Sequence, residues 1–421
     1  MADPRQTPLQ ADVAVIGGGV IGLGIAHEAR RLGRSVVVID PAPATGATFA
    51  AAGMLAPVSE LHYQEEDLLE LMLESSRLWP SFVGSLAHGG GDAGYRTTPT
   101  LAVGADAADR RALADLRAVQ LAAGLAVEPL ALRAAREREP RLSPHISCAF
   151  DIPADHQVDP RRLASRLLAG LATHSPGGST WVPGADDGFS VRSAALGLLW
   201  NDARVSGVVL DSGGVVHARE TVVANGLGAS GLSGLPDGLS LPVRPVYGDI
   251  LRLRVPGDLR PLVTSTIRGM VRGVPVYIVP RDDGTVVIGA TQREDGLSAS
   301  SNAVSAGGVY QLLRDAQVLV PAVSELELLE ATARARPGTP DNAPLLGRVA
   351  GSTGEVEGLV IATGFFRHGV LLTPVAARIV GELLNGSADP RWAAFRPDRF
   401  ATNPSTGRAL TPAHAPSKES A

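Results

Sequence analysis

The first chemistry legible in the chain is the binding of an anion and a ribose. Gly17-Gly18-Gly19-Val20-Ile21-Gly22 has the GxGxxG spacing, follows a β-branched run at 12–16 and opens a helical stretch at 20–32. Asp40 closes a second strand-like run at 35–39. Gly17 permits the tight turn, Gly19 lets the backbone and the helix N-terminus reach a pyrophosphate, and Gly22 lets helix and strand pack closely. An acid about twenty residues past the glycines is placed to accept a hydrogen bond from an adenosine ribose. The plainer reading is a glycine-rich turn with no nucleotide, and the complete βαβ pattern disfavours it.

Gly226-Leu227-Gly228-Ala229-Ser230-Gly231 repeats the spacing after another strand-like run. Residues 235–245 that follow carry three prolines, and they offer neither a crossover helix nor a strand ending in an acid. The segment reads as the end of a returning strand rather than an NAD fold. One nucleotide site at the N-terminus, with strands returning far downstream, favours FAD.

Composition removes other chemistry. The chain has 421 residues and a net charge of −5, which argues against nucleic-acid or membrane-surface partners. Lys418 is the one lysine, so the 38 basic residues include 37 arginines, and Cys148 is the one cysteine. A Schiff-base lysine, a P-loop lysine, a CxxC pair, a cysteine zinc site and a disulfide framework are excluded. His62, His88 and His174 lack metal spacing, so no metal is expected. Residues 1–10 show no leader pattern and no apolar run nears a membrane span, which reads as soluble and cytoplasmic.

These groups need elements to position them. Residues 68–79 read as a helix stopped by Pro80, 107–123 as one closed by Gly124, and 160–174 as one capped by Asp159. Runs at 205–210, 215–218 and 221–224 look like a meander. Those at 249–255, 276–280 and 285–290 alternate like antiparallel strands, with Asp283-Gly284 as a hairpin turn. A strand at 359–362 leads to a helix at 374–385, with Thr373 as N-cap and Gly386 past its end. Glu65-Glu66-Asp67 reads as a solvated helix start, and the Pro/Ser/Thr/Ala-rich tail from Thr402 as disordered.

Four further segments carry a resemblance: Thr48-Phe-Ala-Ala-Ala-Gly-Met-Leu-Ala-Pro57 leading to Glu60, Val276-Tyr277-Ile-Val-Pro-Arg281, Ala335-Arg336-Pro-Gly-Thr-Pro-Asp341, and Ala362-Thr-Gly-Phe-Phe-Arg367-His-Gly369. Together with the N-terminal glycines they resemble the D-amino acid oxidase superfamily of flavoproteins, and within it the glycine oxidases of the thiamine pathway. The resemblance implies an α/β fold, a Rossmann-like FAD-binding domain interleaved with an α+β substrate domain built on a large antiparallel sheet. It divides the chain into 1–90, 150–230 and 337–400 for FAD, and 91–149 and 231–336 for substrate.

The resemblance also implies residue roles. Gly17, Gly19 and Gly22 with Val20 and Ile21 would meet the FAD pyrophosphate, Asp40 the ribose, Ala47 and Thr48 the phosphates, and Ala52, Gly53 and Met54 the flavin. Phe365, Phe366, Arg367, His368, Gly369, Val370 and Leu371 would bring backbone N–H groups to the pyrimidine end of the ring. Arg336 would grip the substrate carboxylate with two parallel bonds, Tyr277 would add a hydroxyl, Arg367 would join them at the pocket, and Met54 and Glu60 would line its mouth. From spacing alone Arg336 reads as a surface ion-pair residue and Tyr277 as a packed strand residue; the motif context gives them the other role. Pro275 stands where the family often has a histidine. Tyr247 is open between a polar pocket contact and packing, with Asp249 beside it.

The implied reaction is oxidative deamination of glycine and small amines such as sarcosine or D-alanine. The α-hydrogen passes to the flavin, water hydrolyses the imine to an oxo acid such as glyoxylate, and oxygen yields hydrogen peroxide. Alignment matters more than a strong base, so no general base is named. Thiazole synthesis for thiamine is the implied destination and a homotetramer the implied assembly. With neither a downstream cysteine nor an active-site lysine, FAD is expected to be held non-covalently. The alternatives are a D-amino acid dehydrogenase passing electrons to a quinone, a flavin-binding module without turnover, and a plain NAD dehydrogenase.

Overall fold

The computed structural model describes residues 9–61, 65–86, 91–173, 180–294, 302–351 and 354–401. His62, His88, His174, Lys418 and the tail from Thr402 lie outside them. Two eight-stranded sheets organise the chain.

The first sheet is built on continuous apolar runs. Leu9–Ile16 lies parallel to both Val36–Ile39 and Val215–Val223, and the latter is parallel to Leu359–Thr363. Val36–Ile39 and Leu359–Thr363 are buried throughout, as parallel strands covered on both faces must be. Alternation divides the side chains: Val13, Val15, Val36 and Val38 join the core shared with helices Val20–Arg31, Glu66–Ser85 and Thr373–Leu384. Ile16, Val37, Ile39 and Val223 face the other core.

The second sheet runs Glu327–Gly338, Arg244–Arg254, Thr285–Gly289, Val274–Pro280, Ile267–Val271, Thr100–Gly104, Cys148–Ile152 and Glu128–Pro129. It is antiparallel except where Ile267–Val271 meets Thr100–Gly104. Leu251, Leu253, Ile278 and Ile288 pack beneath helix Ala306–Leu319, whose Leu312, Ala316 and Leu319 join the same core. Ile250, Val279 and Val287 face the opposite way.

Several boundaries differ from the sequence reading. The helix expected to stop before Pro80 runs over Glu66–Ser85 with Pro80 inside it, because its buried face continues through Trp79 to Phe82. Val215–Val223 is one strand rather than two, held along its length by parallel pairing with Leu9–Ile16. Leu372 precedes the helix that Thr373 begins, and the Thr373 hydroxyl donates instead to the Gly369 carbonyl at 2.9 Å. The second GxGxxG forms a 3-10 turn, Gly226–Gly231, after a strand that returns to the first sheet, as its sequence context indicates.

Candidate active site

A cavity of about 830 Å³ runs between the two sheets from Asp40 and Gly17 to Tyr277 and Arg336. Its nucleotide end is shaped by clearance. Gly17 has φ +109°, and a Cβ there would lie 2.5 Å from the Ala224 carbonyl oxygen. A Cβ on Gly22 would lie 2.0 Å from the Gly17 oxygen, so helix Val20–Arg31 reaches this depth only as glycine. At Gly19 the nearest atom to a Cβ is Thr48 Oγ1 at 3.6 Å, which leaves the helix N-terminus open to the cavity. That helix has no side-chain N-cap; the Val20 N–H donates to Thr48 Oγ1 at 3.0 Å. Asp40 accepts from the Gly18 N–H at 2.6 Å and the Ala42 N–H at 2.8 Å, so two amides orient its carboxylate. An open helix N-terminus beside an oriented carboxylate fits the diphosphate and ribose of FAD.

The middle of the cavity is lined by Ala52, Gly53 and Met54 on one side and by residues 365–371 on another. Ser75 Oγ and Trp79 Nε1 both donate to the Leu371 carbonyl, at 2.6 and 2.9 Å, which anchors the end of that turn. Arg281, buried beside the site, donates to the Ala52 carbonyl, to Gln157 Oε1 at 3.0 Å and to the Val158 carbonyl at 3.3 Å. Burial brings its guanidinium down to about 10, so it remains charged near neutrality and ties Ala52 to the second sheet. Nothing in the spacing of the 276–281 segment signals this role for Arg281.

At the far end, strand register sets the polar groups. Tyr277 pairs with Gly289, where a Cβ would lie 2.4 Å from the Tyr277 hydroxyl. Burial pushes that hydroxyl up to about 12, against the opposing charge of Arg336, so Tyr277 is a neutral donor. Arg336 lies over Gly248, where a Cβ would stand 2.4 Å from Nη2. Its one side-chain hydrogen bond among the described residues is long, 3.5 Å from Nη1 to the Thr291 carbonyl, and no carboxylate of those residues pairs with it. Gly248 and Gly289 were not singled out in the sequence, although glycine inside a strand signals close approach.

The mouth departs from expectation. Glu60 sits between two arginines, pairing with Arg268 and at 3.2 Å with Arg367 Nε. Glu65 pairs with Arg367 Nη2 at 2.7 Å, and its side chain is 8% exposed, so it is not a solvated helix start. With two carboxylates already beside it, Arg367 does not present the free fork expected for gripping a substrate. Arg268, unanticipated, stands 3.9 Å from Met54 Sδ and opposite Tyr277 in register. Of the two readings open for Tyr247, the pocket contact is not seen, since Tyr247 is not among the cavity-lining residues. Strand Arg244–Arg254 contributes Gly248 and Ile250 to the cavity wall, and alternation turns Tyr247 to the other face. Asp249 is fully buried on that face, where it pairs with Arg293 at 2.8 Å and accepts from Ser305 Oγ at 3.2 Å.

Among the described residues no group of three or more His, Cys, Asp or Glu could hold a metal, and no helix is long and apolar enough to cross a membrane.

Comparison with known proteins gives a consistent picture. Residues 12–383 match the family described as DAO, FAD dependent oxidoreductase. The chain is 31% identical over 400 residues to a bifunctional protein ThiO/ThiG of Trichormus variabilis, covering 94% of this chain and 56% of that one. It thus spans little more than half the length of the bifunctional relatives it matches. It is 33% identical to a glycine oxidase of Geobacillus kaustophilus, covering 89% of this chain and 92% of that one. The crystal structure of glycine oxidase from that organism superposes with a TM-score of 0.78 at 30% identity, over 92% of this chain and 98% of the other. A hydrogen cyanide synthase subunit HcnC of Pseudomonas aeruginosa is 29% identical, covering 93% of this chain and 97% of that one.

Proposed function

The chain belongs to the DAO family of FAD-dependent oxidoreductases, and from that premise we propose that it oxidises glycine and small amines such as sarcosine and D-alanine to the oxo acid, with oxygen as acceptor. FAD, when bound, accepts the hydrogen and the two electrons leaving the substrate carbon. The observation that carries the reading is Arg336, a cation lining the cavity with no carboxylate partner among the described residues, next to a neutral tyrosine hydroxyl. A guanidinium in this state offers two parallel N–H groups to a carboxylate, and Tyr277 donates a third bond to the same group.

Fixing the carboxylate at two residues leaves the α-carbon one orientation over the Ala52–Met54 side of the cavity. The apolar groups there, Ile250 and Ala290, keep water from the reacting carbon. Glu60, Arg268 and Arg367 form a charged rim that excludes apolar side chains from the mouth. In this reading FAD is held non-covalently by residues 17–22, Asp40, Ala47, Thr48, residues 52–54 and residues 365–371. In the same reading the first sheet belongs to the FAD unit (1–90, 150–230, 337–400) and most of the second to the substrate unit (91–149, 231–336), the boundaries cutting through strands Cys148–Ile152 and Glu327–Gly338. A place in thiazole synthesis for thiamine is consistent with the ThiO/ThiG likeness.

The test is aerobic: glycine, sarcosine and D-alanine are added to the purified yellow protein and peroxide is measured. Peroxide matched by oxo acid is expected. No release with any of the three contradicts the oxygen reading, and turnover with a quinone instead would favour a dehydrogenase.

A further inference from the structure

Five arginines line the cavity: Arg268, Arg293, Arg334, Arg336 and Arg367. Three are ion-paired, Arg268 and Arg367 through Glu60 and Arg293 through Asp249. Arg334 and Arg336 have no carboxylate partner among the described residues, and they stand two positions apart on strand Glu327–Gly338, so they share a face. The cavity is expected to take two anionic ligands, a substrate carboxylate and the FAD diphosphate. Arg336 is at the Tyr277 end.

Arg334 reaches instead toward residues 45–49. Its Nε donates to the Thr45 carbonyl at 3.1 Å and its Nη1 to the Ala333 carbonyl at 2.8 Å, while Nη2 has no hydrogen bond among the described residues. Its guanidinium lies 5.6 Å from the centre of the Phe49 ring. Thr45 and Phe49 bracket Gly46, Ala47 and Thr48, the segment whose Thr48 hydroxyl meets the open helix N-terminus at Val20. The diphosphate carries about two negative charges, and Asp40 adds a third to the same end of the cavity. The helix N-terminus offsets roughly half a charge.

We propose that Arg334 binds the diphosphate of FAD: Arg161 and Arg252 stand nearby, donating to the Phe49 carbonyl, but of the three only Arg334 lines the cavity. The inference depends on FAD being the cofactor and not on which amine is oxidised. Riboflavin, which has the ring and ribityl chain but no phosphate, is the discriminating probe. Bound FAD is competed with riboflavin in the purified holoprotein, and the ratio of the two Kd values is read from flavin fluorescence.

Arg334→Gln should lower the FAD preference about tenfold or more, with riboflavin binding unchanged, because it removes a charge-assisted bond that only the diphosphate can accept. Arg334→Lys should lose less, and Arg336→Gln should leave the ratio as in the wild type. An unchanged ratio in Arg334→Gln, or equal weakening of both flavins, would overturn the proposal. If Arg334→Gln does not fold, Arg334→Met, which also removes the charge but keeps an unbranched stem, decides: a lowered ratio supports the assignment and an unchanged one refutes it.

Discussion

Arg336 lies across Gly248 with its Nη2 only 2.4 Å from where a Cβ on that residue would stand. The arginine proposed to bind the substrate carboxylate is thus seated on the bare backbone of the neighbouring strand, and its placement depends on that glycine.

Gly248→Ala should therefore displace Arg336 without touching any proposed FAD contact. We expect KM for glycine to rise about tenfold, roughly 1.4 kcal/mol, while the FAD Kd stays within twofold. Steady-state kinetics with a flavin titration checks this, and an unchanged KM would show that the slot is not needed.

Replacing Arg336 itself with lysine keeps the charge and loses the planar fork. The expected loss in kcat/KM is about a hundredfold, since charge-assisted bonds are worth roughly 1.5–3 kcal/mol each and one geometry replaces another. Wild-type affinity for glycine in that variant would mean a different arginine holds the carboxylate.

Tyr277 should impose no break on the activity profile between about pH 7 and pH 11, because its hydroxyl, pushed up to about 12, stays protonated throughout. Tyr277→Phe should raise KM several-fold, on the order of 1 kcal/mol for one hydrogen bond, and leave the shape of the profile as it was. A limb near pH 9 that vanished in the variant would contradict the buried neutral donor.

A stability effect follows from Asp155, fully buried, which accepts from the Val58 and Ser59 amides at 2.9 Å each. Burial pushes its carboxyl up to about 6 from an ordinary 3.8. Between those values the unfolded chain releases a proton that the folded chain keeps, so this group's contribution falls as pH rises and is level above about 6. The change is at most about 3 kcal/mol. The Tm of Asp155→Asn minus that of the wild type should accordingly increase from pH 4 to pH 6.5, and a difference independent of pH would refute the shifted carboxyl.

Cys148 is buried on strand Cys148–Ile152 and does not line the cavity. Acid precipitation should leave FAD in the supernatant; a yellow pellet would demonstrate a covalent link.

The parts legible in the sequence are those whose reason is local. Gly17, Gly22 and Asp40 lie within one βαβ unit, and period-2 runs such as 276–280 announced their strands without help. Groups created by register between distant strands were hidden. Gly248 under Arg336 and Gly289 under Tyr277 are glycines whose purpose exists only once strands pair. The Glu60 bridge joins residues 268 and 367, which no spacing rule connects. Pro80 misled because tertiary packing of Trp79 and Phe82 outweighs the lost helical bond.

The central claim is that Arg336 and Tyr277 hold a small amino acid so that its hydrogen reaches FAD, and the most direct measurement is anaerobic. Glycine added to the oxygen-free yellow protein should bleach the flavin absorbance, with one glyoxylate formed per flavin. Flavin that stays oxidised with glycine, sarcosine and D-alanine alike would contradict the account.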